Sequence, residues 1–173
     1  MRIVGAALCL GLLTACGGTS VPVQVSSGGG SLGSPALDLP SLQPSTNTGQ
    51  DASFATLLNN VRLDAGSGPV AYDSRLDAAA QAHADDMLDN NYFSHTGLNG
   101  SSVSDRVRAA GYNYRALGEN IAAGYQSEES VMAGWVGSPG HQANNINPNF
   151  EDFGLGVARD GRQTRWVLVL GAE

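Results

Sequence analysis

The 173-residue chain predicts an α+β domain with an antiparallel sheet. Three observations carry that expectation. Apolar residues recur at helical spacing through the earlier part of the chain, two strand-like runs joined by a turn dipeptide close it, and helix and strand nowhere alternate as a parallel βαβ sheet requires.

The first helix is expected over Asp51 to Asp64, where Phe54, Leu57, Leu58 and Val61 fall at i, i+3, i+4 and i+7 on one face. Ala65-Gly66-Ser67-Gly68-Pro69 stops it. Asp73 or Ser74 then caps a second helix running to about Asn90, with Leu76, Ala80, His83 and Met87 on one stripe. His83 reads as a core or core-edge histidine rather than a ligand, and Asp85 and Asp86 as a solvated face. Ser101-Ser102 caps a short helix through Val103 and Val107, which Gly111 closes. Tyr112 to Arg115 is an extended link, and Gly118 to Ala122 a short strand.

Ser127 caps a further helix, with Glu128 and Glu129 in the first turn where the helix dipole favours negative charge. It passes through Val131, Met132 and Trp135 and stops at Ser138-Pro139-Gly140, which leaves His141 just beyond a rigid helix end. Phe153 to Val157 and Arg165 to Leu170 are strands, with Asp160-Gly161 as the hairpin signal between them. The second run is apolar on both faces, as befits a central strand covered on both sides.

The beginning of the chain is of another kind. Met1-Arg2 and the apolar run Ile3 to Leu13 have the build of a secretory signal, too short to span a membrane, and Leu13-Thr14-Ala15-Cys16 looks like a bacterial lipobox. Residues 1–15 are therefore expected to be removed and Cys16 to be lipidated, which makes the membrane a partner through its acyl chains. Cys9 falls in the removed segment, so the mature domain carries no free thiol or disulfide. Residues 16–50, rich in Gly, Ser, Pro and Thr, read as a flexible linker, and residues 51–173 as the folded domain. A formal charge of −7, with no lysine in the chain, excludes a nucleic-acid-binding surface as the expected function.

Six motifs in the folded part share an order with a known family: Asn59-x-x-Arg62, Ala79 to Met87, Tyr92-Phe-Ser-His95, Gly118-Glu-Asn-Ile-Ala122, Trp135-x-x-Ser-Pro-Gly-His141 and Gly154-x-Gly-x-Ala158. Together they resemble the CAP superfamily of cysteine-rich secretory, antigen 5 and pathogenesis-related 1 proteins, its bacterial lipoprotein branch in particular. The resemblance implies a three-layer α-β-α sandwich with a central antiparallel sheet and a cleft holding two histidines and two acids. His95 matches the first histidine, Glu119 the first acid and His141 the second histidine, while Ser138 stands where many eukaryotic members have the second acid.

Three kinds of chemistry follow for that cleft. His95, Glu119, Asn120 and His141, with aromatic walls from Tyr92, Phe93 and Trp135, can bind a small amphipathic ligand or an envelope component. His95, Glu119 and His141 form a three-ligand set for a divalent metal such as zinc. Ser138 as nucleophile, with His141 or His95 as base and Glu119 as orienter, is the hydrolase alternative, although no nucleophile-elbow sequence surrounds Ser138. A scaffold with a vestigial cleft is the remaining reading. A binding or envelope-interaction module is the expected function, anchored outside the cytoplasmic membrane. For Trp135 and for Asn59-x-x-Arg62 the expectation is structural: a core anchor and a helix-to-loop hydrogen-bonding pair.

Overall fold

The computed structural model describes residues 48–173, with side chains from Ala52 onward, so the signal segment, Cys16 and most of the linker lie outside the described residues. Helix α1 is Thr48–Asp64 and begins before the expected Asp51. The remaining elements are β1 Ala71–Tyr72, α2 Ser74–Asp89, α3 Val103–Ala109, β2 Ala116–Ala123, α4 Glu128–Val136, α5 Pro139–Asn145, β3 Asp152–Asp160 and β4 Gln163–Ala172. None of the described helices is long and apolar enough to cross a membrane.

The helix starts follow from local chemistry. Asp73 caps α2 by accepting from the backbone N–H groups of Arg75 and Leu76, and Ser102 closes a capping box with Asp105 at the head of α3. Ser127 and Ser130 do the same for α4. The Ser-Pro-Gly stop is also a start. Pro139 stands at the first position of α5, where its missing N–H is no loss, so His141 lies on a helix and not in a loop beyond one.

The four strands are ordered β1-β3-β4-β2. β4 pairs antiparallel with β2 and β3, Gly118 standing opposite Leu170 and Leu155 opposite Leu168. The expected antiparallel sheet needs one correction, because β1 runs parallel to β3 and makes the sheet mixed. Asn59 explains that edge: its side chain bonds both the N–H and the C=O of Val70, a ladder-like pair that steers the chain into β1.

Alternation on β4 sorts two cores to the two faces of the sheet. Trp166, Leu168 and Leu170 pack with Phe54 and Leu58 of α1 and Val131, Met132 and Trp135 of α4. Val167 and Val169 face Leu76, Ala80, Ala84 and Met87 of α2, with Val107 of α3. Helices cover both faces, which gives the three-layer sandwich. α2 lies close on β3 because Gly154 and Gly156 have no side chain there: a Cβ on Gly156 would stand 2.2 Å from the backbone carbon of Ala80.

Candidate functional site

β2 is an edge strand, and its pleat sends consecutive side chains to opposite faces of the sheet. Glu119, whose side chain is only 3% exposed, is held from two sides. Its Oε1 lies 2.8 Å from His95 Nδ1, and its Oε2 accepts from Arg106 of α3 at 2.6 Å. Both carboxylate oxygens are therefore engaged. A carboxylate only accepts, so Nδ1 carries a proton, and whenever the His95 ring is uncharged Nε2 is a bare acceptor. The His95 side chain is 57% exposed, so that acceptor stands open to a ligand.

Arg106 also positions the loop that carries His95. Its guanidinium donates to the His95 carbonyl and to that of Ser101. From α2, His83 Nε2 meets the Ser94 carbonyl at 2.9 Å. A carbonyl only accepts, so Nε2 bears the proton in His83. His83 is 1% exposed, in agreement with its reading as a core histidine. Its pKa is pushed below the usual histidine range by burial, followed by the charge of Arg106.

Asn120, the next residue on β2, turns the other way. It is fully buried, and its amide donates to the His141 carbonyl at 3.0 Å and to Asn145 Oδ1 at 2.9 Å. Asn144 donates back to Asn120 Oδ1 and to the Glu119 carbonyl. Asn120 therefore welds α5 to the strand beneath the cleft instead of lining it. Arg62 secures the far end of α5. It is buried, and it donates to the carbonyls of Gly68, Asn145, Asn147 and Phe150, the last three in the stretch where α5 ends and the chain turns toward β3. The Asn59-x-x-Arg62 motif is structural at both positions.

His141 is half-buried on the first part of α5. Burial, and then nearby His95 whenever that ring is protonated, push its pKa below the usual histidine range, so at neutral pH it is an uncharged imidazole. His95, Glu119 and His141 thus gather around the β2 edge, and Arg106 joins them. Sequence reasoning missed Arg106, which was legible only as an arginine on the same face of α3 as Val103 and Val107, an apolar stripe where a charge needs a buried partner.

Other expected participants fall elsewhere. Trp135 is 1% exposed and packs edge-on against Phe54, so it is core and not a cleft wall. Phe93 is 52% exposed, and Tyr92 turns its hydroxyl to Asp86. Asp86 therefore belongs to a hydrogen-bonded cluster and not to a purely solvated face. Ser138 caps α5 through its backbone, with no side-chain cap bond, and its hydroxyl bonds to neither histidine. Among the described residues no group of three His, Cys, Asp or Glu side chains is placed to hold a metal ion. At Glu119, Arg106 occupies the carboxylate oxygen that His95 leaves.

The family model described as "CAP: Cysteine-rich secretory protein family" matches residues 55–170. The protein YkwD of Bacillus subtilis is 36% identical over 118 residues, which are 68% of this chain and 46% of that protein. A crystal structure of an extracellular protein containing a SCP domain from Bacillus anthracis superposes with a TM-score of 0.65 at 29% identity, over 73% of this chain and 41% of that one. An outer surface protein of Borrelia burgdorferi has the same fold, with a TM-score of 0.66 at 21% identity, over 73% of this chain and 95% of that one. This chain thus spans about half the length of the Bacillus proteins or less.

Proposed function

The chain belongs to the cysteine-rich secretory protein (CAP) family, and from that premise we propose that it is a ligand-binding module held outside the cytoplasmic membrane by a lipidated Cys16 and the linker that follows. Its ligand meets the edge of β2, where His95 offers Nε2 beside the neutral ring of His141. The observation that carries this reading is the engagement of Glu119 by both His95 and Arg106. It fixes one tautomer of an exposed imidazole and builds an acceptor, with no hydroxyl held for attack. A site of this make suits a polar donor on an envelope component more than it suits hydrolysis.

Two arms test the proposal. Full-length chain and a Cys16→Ser variant are expressed in a bacterial host and fractionated; the parent should remain with membranes and the variant should be released. The released Cys16→Ser protein, the parent for this arm, and its His95→Ala and His141→Ala forms are then mixed with purified cell envelopes and sedimented, circular dichroism confirming the fold of each. Retention by the parent that falls about tenfold in both variants is the expected result, the size of one lost hydrogen bond to an open acceptor. Equal retention of all three proteins, or hydrolysis of an ester reporter that is lost with Ser138→Ala, would overturn the binding reading.

A further inference from the structure

A cavity of about 430 Å³ opens beside Arg106, between α2 and the loop that follows His95. Asp86, Asn90, Asn99, Ser101 and Arg106 give it polar groups, Ala82 and Leu98 an apolar patch, and His83 one wall. Its volume suits a small molecule of one or two rings.

The charges decide what kind. Asp86 and Arg106 both line it with opposite charges, so neither a cation nor an anion is favoured as a whole. His83 is the sharper clue. With its Nε2–H given to the Ser94 carbonyl, its Nδ1 is a bare acceptor, and that atom is buried without a hydrogen-bond partner. The Arg106 charge bears on His83 as well, which disfavours filling the lone pair with a metal ion or a proton. A neutral hydroxyl meets every requirement. It donates to His83 Nδ1, and a neighbouring hydroxyl donates to a remaining lone pair of the Asp86 carboxylate, whose oxygens already accept from Asn90 and Tyr92, while the Asn99 amide serves a ring oxygen.

We propose that this cavity is a saccharide site, separate from whatever His95 and His141 bind, in which a ring hydroxyl donates to His83 Nδ1. Nδ1 is closed from solvent in the free chain, so the sugar reaches it by displacing part of the wall.

Full-length chain labelled with 15N is titrated with glucose and with N-acetylglucosamine while the ring nitrogens of its three histidines are followed by NMR. The free chain should show His83 as the Nε2–H tautomer. Either sugar should move the His83 Nδ1 resonance saturably and raise the melting temperature. Ala82→Phe, a change at an exposed position on α2 that fills the cavity without touching the core, should abolish both effects. His83→Phe should weaken binding about tenfold, and His95→Ala should leave it unchanged. The proposal is overturned if neither sugar moves the His83 signal, or if Ala82→Phe binds as the parent does. It is overturned equally if an ordered water meets Nδ1 and stays there in the presence of sugar.

Discussion

Gly156→Ala tests how the sandwich is assembled. β3 passes directly beneath α2, and the Cβ added at residue 156 would lie 2.2 Å from the Ala80 carbonyl carbon and 2.3 Å from its oxygen. At residue 154 the obstacle is the Asp77 nitrogen at 2.1 Å. Both obstacles are backbone, so no rotamer change relieves them. Moving from 2.2 Å to the 3.4 Å at which ordinary contact begins lifts α2 by about 1.2 Å. A gap of roughly 0.5–1 Å already forfeits about a quarter to a half of the dispersion attraction. Here the gap would run along the stripe formed by Leu76, Ala80, His83, Ala84 and Met87. Overpacking that side chains can absorb costs about 1–3 kcal/mol; a clash that only a helix can absorb should reach about 3 kcal/mol or more. For a domain of this size that lowers Tm by about 10 °C, measured by scanning calorimetry with far-UV circular dichroism. Gly140→Ala is the control. It adds the same methyl inside α5, where nothing lies within 4 Å, and should stabilise by about 0.5–1 kcal/mol through helix propensity. If Gly156→Ala melts within about 2 °C of the parent, α2 does not rest on β3 as described.

Arg62→Met should cost about 3 kcal/mol in urea unfolding, because four carbonyls lose one donor group together, and hydrogen exchange in α5 should quicken with it. Glu119→Gln leaves the mostly buried Arg106 guanidinium without its counter-charge and should cost a similar amount, about 3 kcal/mol, with the His95 loop broadened in NMR spectra; a loss under about 0.5 kcal/mol would contradict the bracing role. His83 and His141 have pKa values below those of the unfolded chain, so the unfolded state takes up protons first. Stability is then whole above pH of about 6.5 and declines as pH falls below it, by at most about 1.4 kcal/mol per pH unit for each histidine, and His141→Gln should flatten the decline measured by urea titration across that range. Calorimetric titration of the full chain with zinc should give no binding tighter than about 10 µM, and a single tight equivalent lost in His95→Ala would show that Arg106 gives way to a metal.

What could be read from the residues, and what could not, divides along a physical line. Elements set by local rules were legible: Phe54, Leu58 and Val61 repeat at helical spacing, Ser102 and Ser127 cap where hydroxyls should, and the hairpin at Asp160-Gly161 turns where a left-handed residue is needed, Gly161 having φ +67°. Ser-Pro-Gly misled because proline is suited both to ending one helix and to opening the next; only the packing of α5 on β2 decides between them. The pairing of His95 with Glu119 lay within the set the sequence named. The role of each polar neighbour was not legible, since polarity alone assigned Asn120 to the wall and overlooked Arg106.

Those two residues show why. A side chain able to make several hydrogen bonds is favoured wherever its bonds are made, at the surface with water or inside with partners, and composition cannot tell the two apart. Asn120 meets the backbone of His141 and the amides of Asn144 and Asn145, all on α5, and Arg106 meets two carbonyls of the loop before α3 and a carboxylate of β2, partners that lie on other elements than its own. The cleft is thereby held from below by amides and from the α3 side by a guanidinium. Its exposed histidine can then keep one tautomer, ring orientation and acceptor direction before any ligand arrives. That preorganisation makes an exposed imidazole a recognition group, and it rests on the residues that look least like a binding site.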